Sequence, residues 1–330
     1  MDSGAFSLYN KHVLKSGEKP QPKGDPKKYR GTELLPPKHT RSYKRADFSH
    51  YDLTPGSEFR RYCDFYASWI RKVESMGTKM GSTILATTVD AITNPEKTWE
   101  IQQYFEKEHG LYPVPVIHAG TDIRWLEKYV ETGNYDLIGL GGMGHSIPRA
   151  TYVRWGDSIY RYLCPKSNGY KPIVRTHGFA MTSWELICRW PWWSVDSATW
   201  VKLSAYGWLY VPPLRRGKWS FDEPPIQINL SAQNAPQKSK RDKHFETSKH
   251  ETLKETVHKW LERCNLTLGE VDDDGKEVEF GVSSHFRARS IANLHYLKDL
   301  EESRPEWPNP LSMDIVNNSS AKYVGAGFGL

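Results

Sequence analysis

Apolar residues follow two alternating patterns from Asp52 onward. Short continuous apolar runs are typical of buried strands, whereas apolar positions three or four residues apart are typical of amphipathic helices. The first helical pattern is expected to have Thr54 as its cap and Pro55 at its first position. Its apolar positions are Phe59, Tyr62, Cys63, Tyr66, Trp69, Ile70 and Val73. This spacing predicts a long helix with one buried face.

Predicted strands and helices then alternate along the chain. The predicted strands are STILATTVD (82–90), VPVIHAG (114–120), YDLIGLGG (135–142), KPIVRTHGFAM (171–181) and WSVDSATW (193–200). Asn94-Pro95 begins the first intervening helix, and Gly110 ends it. Gly133 ends the next helix, and two further helices are expected around Trp155 and Trp184. This alternation predicts an α/β protein with a parallel sheet, either closed as a barrel or doubly wound.

The remaining segments are predicted from their composition. Residues 11–48 form a basic insertion without periodicity, and residues 231–250 form a polar loop. Two more helices are expected over Leu253 to Cys264 and around Ile291 to Leu300, with an acidic turn between them. We expect a single domain over residues 1–304, followed by a flexible tail over residues 305–330.

The composition indicates a packed globular protein. The chain has 330 residues, 38% of them hydrophobic, with 13 Trp and 18 Tyr. It contains no apolar run long enough for a transmembrane helix and opens without a secretory signal pattern, so we expect a cytoplasmic protein without membrane contact. The four cysteines are widely spaced, which favours buried, reduced thiols over a zinc ribbon or a disulfide framework.

The net charge of +6 is unevenly distributed. Residues 11–48 contain eleven Lys or Arg against four Asp or Glu, and residues 236–262 also have a basic excess. Basic segments on a slightly acidic remainder suit an anionic partner such as nucleic acid. Solvated surface loops would give the same composition, so both interpretations stay open.

Polar residues and glycines collect at the carboxyl ends of predicted strands. They are Asp2, Asp90, His118, Gly141 with Gly142, His177 and Asp196. Active sites of parallel α/β proteins form at this edge of the sheet. Each residue alone could be an ordinary cap or turn, but together they predict an active site.

Three kinds of chemistry fit these residues. GLGGMG (139–144) matches the dinucleotide-binding pattern, but Pro148 interrupts the helix that should follow it, and the acidic residue at the right distance, Asp157, falls in a predicted helix. A metal-dependent hydrolase would use the Asp and His side chains together with His145, although the chain has no H-x-H or H-E-x-x-H spacing. The third possibility is glycosyl transfer, for which Asp2 and Asp196 would supply a nucleophile and a proton-transferring group.

Several motifs resemble those of the tRNA-guanine (queuine/archaeosine) transglycosylases. MDSGAFS resembles their DSGGF/Y segment, and SVDSATW resembles the FDSAAY-type segment of the archaeosine branch. TVD (88–90), VIHAG (116–120), GLGGM (139–143) and THGFAM (176–181) occur between them in the family's order, and ARSIANLHYLKDLEE (288–302) resembles the family's terminal helix. The resemblance covers most of residues 1–211 and residues 278–304.

The resemblance implies a TIM-type barrel and a base exchange, in which a 7-deazaguanine replaces guanine in a polynucleotide without backbone cleavage. Asp196 matches the nucleophile that forms a covalent glycosyl-enzyme, and Asp2 matches the general acid/base. The base-binding positions are matched by Phe6, Asp90, His118, Gly141, Gly142 and His177. His118 stands where the family often has Gln. The resemblance implies no cofactor, and the free 7-deazaguanine is the second substrate.

The sequence also departs from the family. The C-x-C-x-x-C…H zinc site is absent, since Cys264 is the single cysteine after Pro213, so no structural metal is expected. The tRNA-reading Arg positions that follow the nucleophile are not evident. The chain starts at the first motif, so an incomplete or irregular barrel is expected at the N-terminus. A short chain without the zinc site resembles the phage-type transglycosylases that modify DNA. DNA is therefore the favoured substrate. A tRNA-directed enzyme and a non-catalytic nucleic-acid binder are the alternatives.

Overall fold

A computed structural model describes residues 48–92, 94–141, 149–232, 244–272 and 276–317 of the chain. Within these ranges, no helix has the length and apolar character needed to span a membrane. Residues 11–47 of the predicted basic insertion and residues 233–243 of the predicted polar loop lie outside the described ranges.

The helices and strands are numbered here in chain order. The helices are α1 (Glu58–Lys79), α2 (Pro95–His109), α3 (Ile123–Thr132), α4 (Arg149–Leu163), α5 (Trp184–Arg189), α6 (Thr199–Ala205), α7 (Glu251–Arg263), α8 (Phe286–Ser303) and α9 (Met313–Asn317). The strands are β1 (Val116–His118), β2 (Leu137–Gly141), β3 (Arg175–Gly178), β4 (Ser194–Val195), β5 (Trp208–Val211), β6 (Leu214–Arg215), β7 (Lys218–Trp219), β8 (Ile226–Asn229), β9 (Glu270–Val271) and β10 (Glu277–Glu279). A 3₁₀ turn covers Lys166–Asn168.

The largest sheet contains four parallel strands in the order β1-β2-β3-β4. A helix connects each strand to the next, as the alternating sequence pattern predicts. β1 and β2 are in parallel register, with His118 opposite Gly141. The predicted strand over residues 82–90 is reduced to a parallel bridge between Thr87 and Val114. The prediction of an α/β protein with a parallel sheet is confirmed, and barrel closure stays a prediction.

The described residues belong to two compact units, and the chain changes unit within α4 after Ile159, again after Pro172, and within β3 after His177. Unit 1 includes the described parts of residues 1–159 and 173–177, and unit 2 those of residues 160–172 and 178–320. In unit 1, buried residues of α1 pack with Ile101 and Phe105 of α2. In unit 2, Trp260 and Leu261 of α7 share a core with β5 and α8. The single domain expected over residues 1–304 stays a prediction.

Local capping explains several helix boundaries. Asn94 caps α2 by accepting a hydrogen bond from the Lys97 N–H, and Gly110 ends α2 in the left-handed conformation, with φ of 59°. The predicted start of α1 is wrong by three residues, because Ser57 and not Thr54 is the cap. Thr54 is engaged elsewhere, since its N–H and its hydroxyl both donate to the Asp52 carboxylate. Helix α1 therefore starts at Glu58 and not at Pro55.

Two buried polar side chains of α8 anchor this helix in unit 2. Arg289 Nε donates to the carbonyl of Ser204 at 2.6 Å, and its Nη1 donates to the carbonyl of Val282 at 2.6 Å. Asn293 Oδ1 accepts the Tyr210 N–H at 2.7 Å. The amide nitrogen of Asn293 donates to Ser204 Oγ, Trp208 O and Trp200 O. These bonds join α8 to α6 and β5.

Residues 305–317 belong to the packed part of unit 2. The sequence predicts this stretch as the beginning of a flexible tail, yet it includes helix α9, whose Ile315 is buried. Asn309 is also buried, and its amide donates to the carbonyl of Cys188 at 2.9 Å. The expected tail therefore has ordered, packed structure at least as far as residue 317.

All four cysteines of the chain are buried and free, as the sequence predicts. Burial raises the pKa of the Cys188 thiol to about 11 and the pKa values of the Cys164 and Cys264 thiols to about 12. Burial raises the pKa of Cys63 further still. The four thiols are consequently protonated at neutral pH.

Candidate functional site

Two of the predicted site residues contact each other in unit 1. Asp90 follows the bridge at Thr87, and His118 is the last residue of β1. Nε2 of His118 forms a hydrogen bond with Oδ2 of Asp90. The Asp90 side chain is 8% exposed and that of His118 is 15% exposed, so the pair is largely shielded from water. The structure therefore brings these two predicted site residues together.

The Asp90–His118 pair has unused hydrogen-bonding capacity. Nδ1 of His118 is buried and, among the described residues, has no hydrogen-bond partner. Asp90 is bonded there through Oδ2 alone, which leaves Oδ1 as an open acceptor. When the Nε2–H of a neutral His118 donates to the Asp90 carboxylate, Nδ1 becomes a second acceptor. The pair can therefore receive N–H groups from a ligand.

Tyr129 of α3 lines a small cavity together with His118. Its hydroxyl is buried and has no hydrogen-bond partner among the described residues. Burial raises the pKa of the Tyr129 phenol, and the negative charges of Glu106 and Asp90 raise it further, so the hydroxyl stays protonated. The cavity has a volume of about 10 Å³, which is enough for about one water molecule. A purine-like ring would have to lie outside this space.

Gly141 and His177 occupy the adjoining strands. Gly141 ends β2 opposite His118 and accepts the Ala119 N–H through its carbonyl at 2.9 Å. His177 lies in β3 and is partly buried. The parallel order β1-β2-β3 places the ends of these strands along one edge of the sheet. Gly142, Asp2 and Phe6 lie outside the described residues, so the predicted meeting of Asp2 and Asp196 stays a prediction.

Asp196 lies directly after β4 in unit 2 and is exposed. Its backbone N–H donates to the carbonyl of Gly178 at 3.1 Å, and its own carbonyl accepts the Met181 N–H at 2.6 Å. Oδ1 of its carboxylate accepts the Ala180 N–H at 2.7 Å. The turn that follows β3 therefore fixes both the backbone and the side chain of Asp196.

Backbone geometry in this turn is unusual. Ala180 has a positive φ of 58°, which is uncommon for a residue with a side chain. This conformation accompanies the hydrogen bond from the Ala180 N–H to the Asp196 carboxylate. A Cβ at Gly178 would approach the Trp192 ring to 3.0 Å, which is tighter than ordinary packing. Trp192 itself is 3% exposed and donates through Nε1 to the carbonyl of Leu186, so its role is in the core.

Two residues of these sites escape prediction from the sequence. Tyr129 is part of the apolar stripe of α3, and nothing in that periodicity shows that its hydroxyl has no partner among the described residues. Ala180 has no sequence signature for a positive φ, since glycine or asparagine would be expected there. Within the described ranges, no group of three or more His, Cys, Asp or Glu is arranged to hold a metal ion.

The comparisons with known proteins identify no relative. No protein-family model matches the chain, and searches of curated proteins and of solved structures found no match.

Proposed function

We propose that this chain is a base-exchange transglycosylase that replaces guanine in a polynucleotide, DNA in the first instance, with a 7-deazaguanine. The proposal rests on the ordered motifs of the sequence and on the surroundings of Asp196. That side chain is exposed to incoming substrate, and one of its oxygens is oriented by the Ala180 N–H. This fixed and accessible carboxylate at a strand end is the observation that carries the proposal.

The strand order supports a TIM-type barrel as the scaffold. In a barrel, each parallel strand lies beside the strand that follows it in the chain, whereas a doubly wound sheet reverses its order at a switch point. The four parallel strands here are in consecutive order. This order favours the barrel over the dinucleotide-binding fold.

The proposed reaction has two steps. A carboxylate oxygen of Asp196 attacks C1′ of the nucleotide, and the bond from C1′ to N9 of guanine breaks. Guanine takes the bonding electrons and a proton from Asp2, which is the proposed general acid. In the second step, Asp2 accepts a proton from the 7-deazaguanine ring, whose N9 attacks C1′ and releases Asp196. The backbone of the polynucleotide stays intact throughout.

The Ala180 N–H has a defined role in this scheme. It donates to Oδ1 of Asp196 and stabilises the ionised carboxylate, which is the form that attacks. Restricting rotation of the side chain also orients the carboxylate for the attack. The strained turn thus acts on the nucleophile without touching substrate.

The Asp90–His118 pair is assigned to recognition of the base. Guanine and its 7-deaza analogues present a ring N–H and an exocyclic amine on the same edge. Oδ1 of Asp90 is an acceptor without a partner among the described residues, and these N–H groups would bond to it while Nε2 of His118 holds the carboxylate. A base lacking these donors would leave this acceptor desolvated, so Asp90 would also discriminate against it.

Replacing the nucleophile tests the proposal. Purified wild-type, Asp196→Asn and Asp196→Ala proteins are incubated with a radiolabelled 7-deazaguanine and with duplex DNA, single-stranded DNA or tRNA. Wild type should label DNA, and both variants should lose label transfer by about 10⁴-fold or more, because no covalent intermediate forms. Asp222→Asn, which changes another exposed aspartate of unit 2, is the matched control and should keep wild-type activity.

Other outcomes discriminate between the alternatives. Label transfer to tRNA alone would reassign the substrate to RNA. Undiminished activity of Asp196→Asn would remove Asp196 as nucleophile and end the proposal. Binding of polynucleotide without label transfer by the wild-type protein would favour the non-catalytic binder.

A further inference from the structure

Helix α1 has apolar side chains on two faces. The inner face is buried, and its residues are Phe59, Cys63, Tyr66, Ala67, Ile70 and Gly77. On the outer face, Phe65 is 66% exposed, Trp69 is 40% exposed and Met76 is 52% exposed. Their separations of four and seven residues place them on one side of the helix. Surface helices of globular proteins normally carry polar residues on the outer face, so these exposed apolar side chains require an explanation.

Cations alternate with these rings. Arg61, Lys72 and Lys79 are exposed and lie on the same side of α1 as Phe65 and Trp69. None of the three forms an ion pair with another described residue, whereas Arg60 pairs with Glu108 of α2. Glu58, at the first position of the helix, is the acidic residue on this side. The outer face of α1 is defined here as Arg61, Phe65, Trp69, Lys72, Met76 and Lys79.

The pattern fits single-stranded nucleic acid. Proteins bind single strands by combining cations that contact phosphates with aromatic rings on which bases stack. Arg61 and Lys79 are eighteen residues apart, which corresponds to about 27 Å along a helix and accommodates several nucleotides. If two copies of α1 paired through their outer faces, three cations of one copy would lie against three of the other. Charge complementarity therefore favours a polyanion over self-association.

We infer that the outer face of α1 binds a single-stranded segment of a polynucleotide, with Trp69 and Phe65 stacking on bases and Lys72 and Lys79 contacting phosphates. The inference rests on the proposed function, because that function requires a polynucleotide as substrate. It adds a contact surface that is distinct from the residues assigned to the base exchange. Unstacked nucleotides next to an extruded target base would be a suitable ligand for such a surface.

Fluorescence anisotropy with a labelled single-stranded oligothymidylate of about 20 nucleotides tests the inference. Trp69→Ala should weaken binding by about 5- to 150-fold, corresponding to the loss of one stacked base, while Trp69→Phe should retain most of the affinity. A Lys72→Ala/Lys79→Ala variant should lower the slope of log K against log salt by about 1.4, since each phosphate contact to a single strand contributes about 0.7. Trp69→Ala should leave this slope unchanged.

Matched controls come from the same unit. Lys107→Ala and Tyr112→Ala change an exposed cation and an exposed ring away from the outer face, and both should bind like wild type. Far-ultraviolet circular dichroism and the thermal unfolding midpoint establish that each variant is folded. Oligothymidylate contains no guanine to exchange, and its binding is measured without label transfer, so a failure of the base-exchange proposal would be distinguished from a failure of this one.

Two results would overturn the inference. One is wild-type affinity and an unchanged salt slope for a folded Phe65→Ala/Trp69→Ala variant. The other is light scattering that shows a wild-type dimer and a monomeric Phe65→Ala/Trp69→Ala variant with undiminished DNA binding. In that case the outer face would be a self-association surface.

Discussion

The polar cluster on α8 and the polar cluster around Asp90 are both buried, but they differ in how completely their hydrogen bonds are satisfied. In unit 2, the Asn293 side chain accepts one backbone N–H and donates to three oxygens. In unit 1, Nδ1 of His118 and the hydroxyl of Tyr129 have no partner among the described residues. One cluster has used its hydrogen-bonding capacity for folding, and the other still has capacity for a ligand.

The contrast concerns these two clusters alone, because the hydroxyl of Tyr296 on α8 and Nδ1 of His244 also lack partners among the described residues. A buried donor or acceptor without a partner costs about 1–3 kcal/mol, so such groups are uncommon unless water or a ligand completes them. The α8 cluster is the part of the molecule that should respond most to mutation in stability measurements. The Asp90–His118 pair should respond most in activity measurements.

Replacing Arg289 should have the largest effect on stability. Arg289→Ala removes the bonds to the carbonyls of Ser204 and Val282 and leaves these buried acceptors without donors, so we expect a loss of about 3 kcal/mol or more. Urea denaturation monitored by circular dichroism measures it. Arg287→Ala, two residues earlier and exposed, should change the free energy of unfolding by less than about 0.5 kcal/mol. Equal effects for the two variants would contradict a structural role for the α8 cluster.

Asp90→Asn should affect activity more than stability. The asparagine keeps the shape of the side chain and can still accept a hydrogen bond from His118, so stability should change by about 1 kcal/mol or less. Base exchange should fall by about 10- to 150-fold in kcat/KM, because a charged acceptor for the incoming base is lost.

The matched control for Asp90→Asn is Asp136→Asn, at an exposed aspartate of unit 1, which should preserve both quantities. A large loss of stability with normal kcat/KM in Asp90→Asn would show that the pair serves the fold.

The smallest effect is expected for Tyr129→Phe. Its hydroxyl has no partner among the described residues, so removing it should leave the free energy of unfolding within about 0.5 kcal/mol or raise it slightly. Tyr135 lies against Tyr129 and donates its hydroxyl to Glu106, so Tyr135→Phe should cost about 1 kcal/mol. Chemical denaturation of both variants gives the comparison, and a larger cost for Tyr129→Phe would indicate a bound water or ligand at its hydroxyl.

Local signals in the sequence predict much of the fold. Asn94-Pro95 and Gly110 define α2 correctly, because a cap, a first-turn proline and a left-handed glycine act within a few residues. Thr54 misleads because Asp52 competes for its donors. Residues 82–90 have the composition of a buried strand, but strand pairing depends on partners distant in the chain, and the segment forms a single bridge at Thr87.

The candidate sites are predictable to a lesser degree. Strand ends of a parallel sheet meet at one edge, which is why Asp90 and His118 could be expected together. The hydrogen bond from Ala180 to Asp196 depends on an uncommon backbone conformation. Whether the Tyr129 hydroxyl finds a hydrogen-bond partner among the described residues depends on which groups surround it after folding. Such properties arise from tertiary structure and leave no periodic signal.

The burial of all four thiols has a practical consequence for spectroscopy on this protein. Maleimides and iodoacetamides react with thiolates, and each native cysteine is both inaccessible and protonated at neutral pH. A single cysteine introduced at an exposed position would therefore be alkylated selectively, without first removing the native ones. Site-specific spin labels or fluorophores could then report distances within the folded chain.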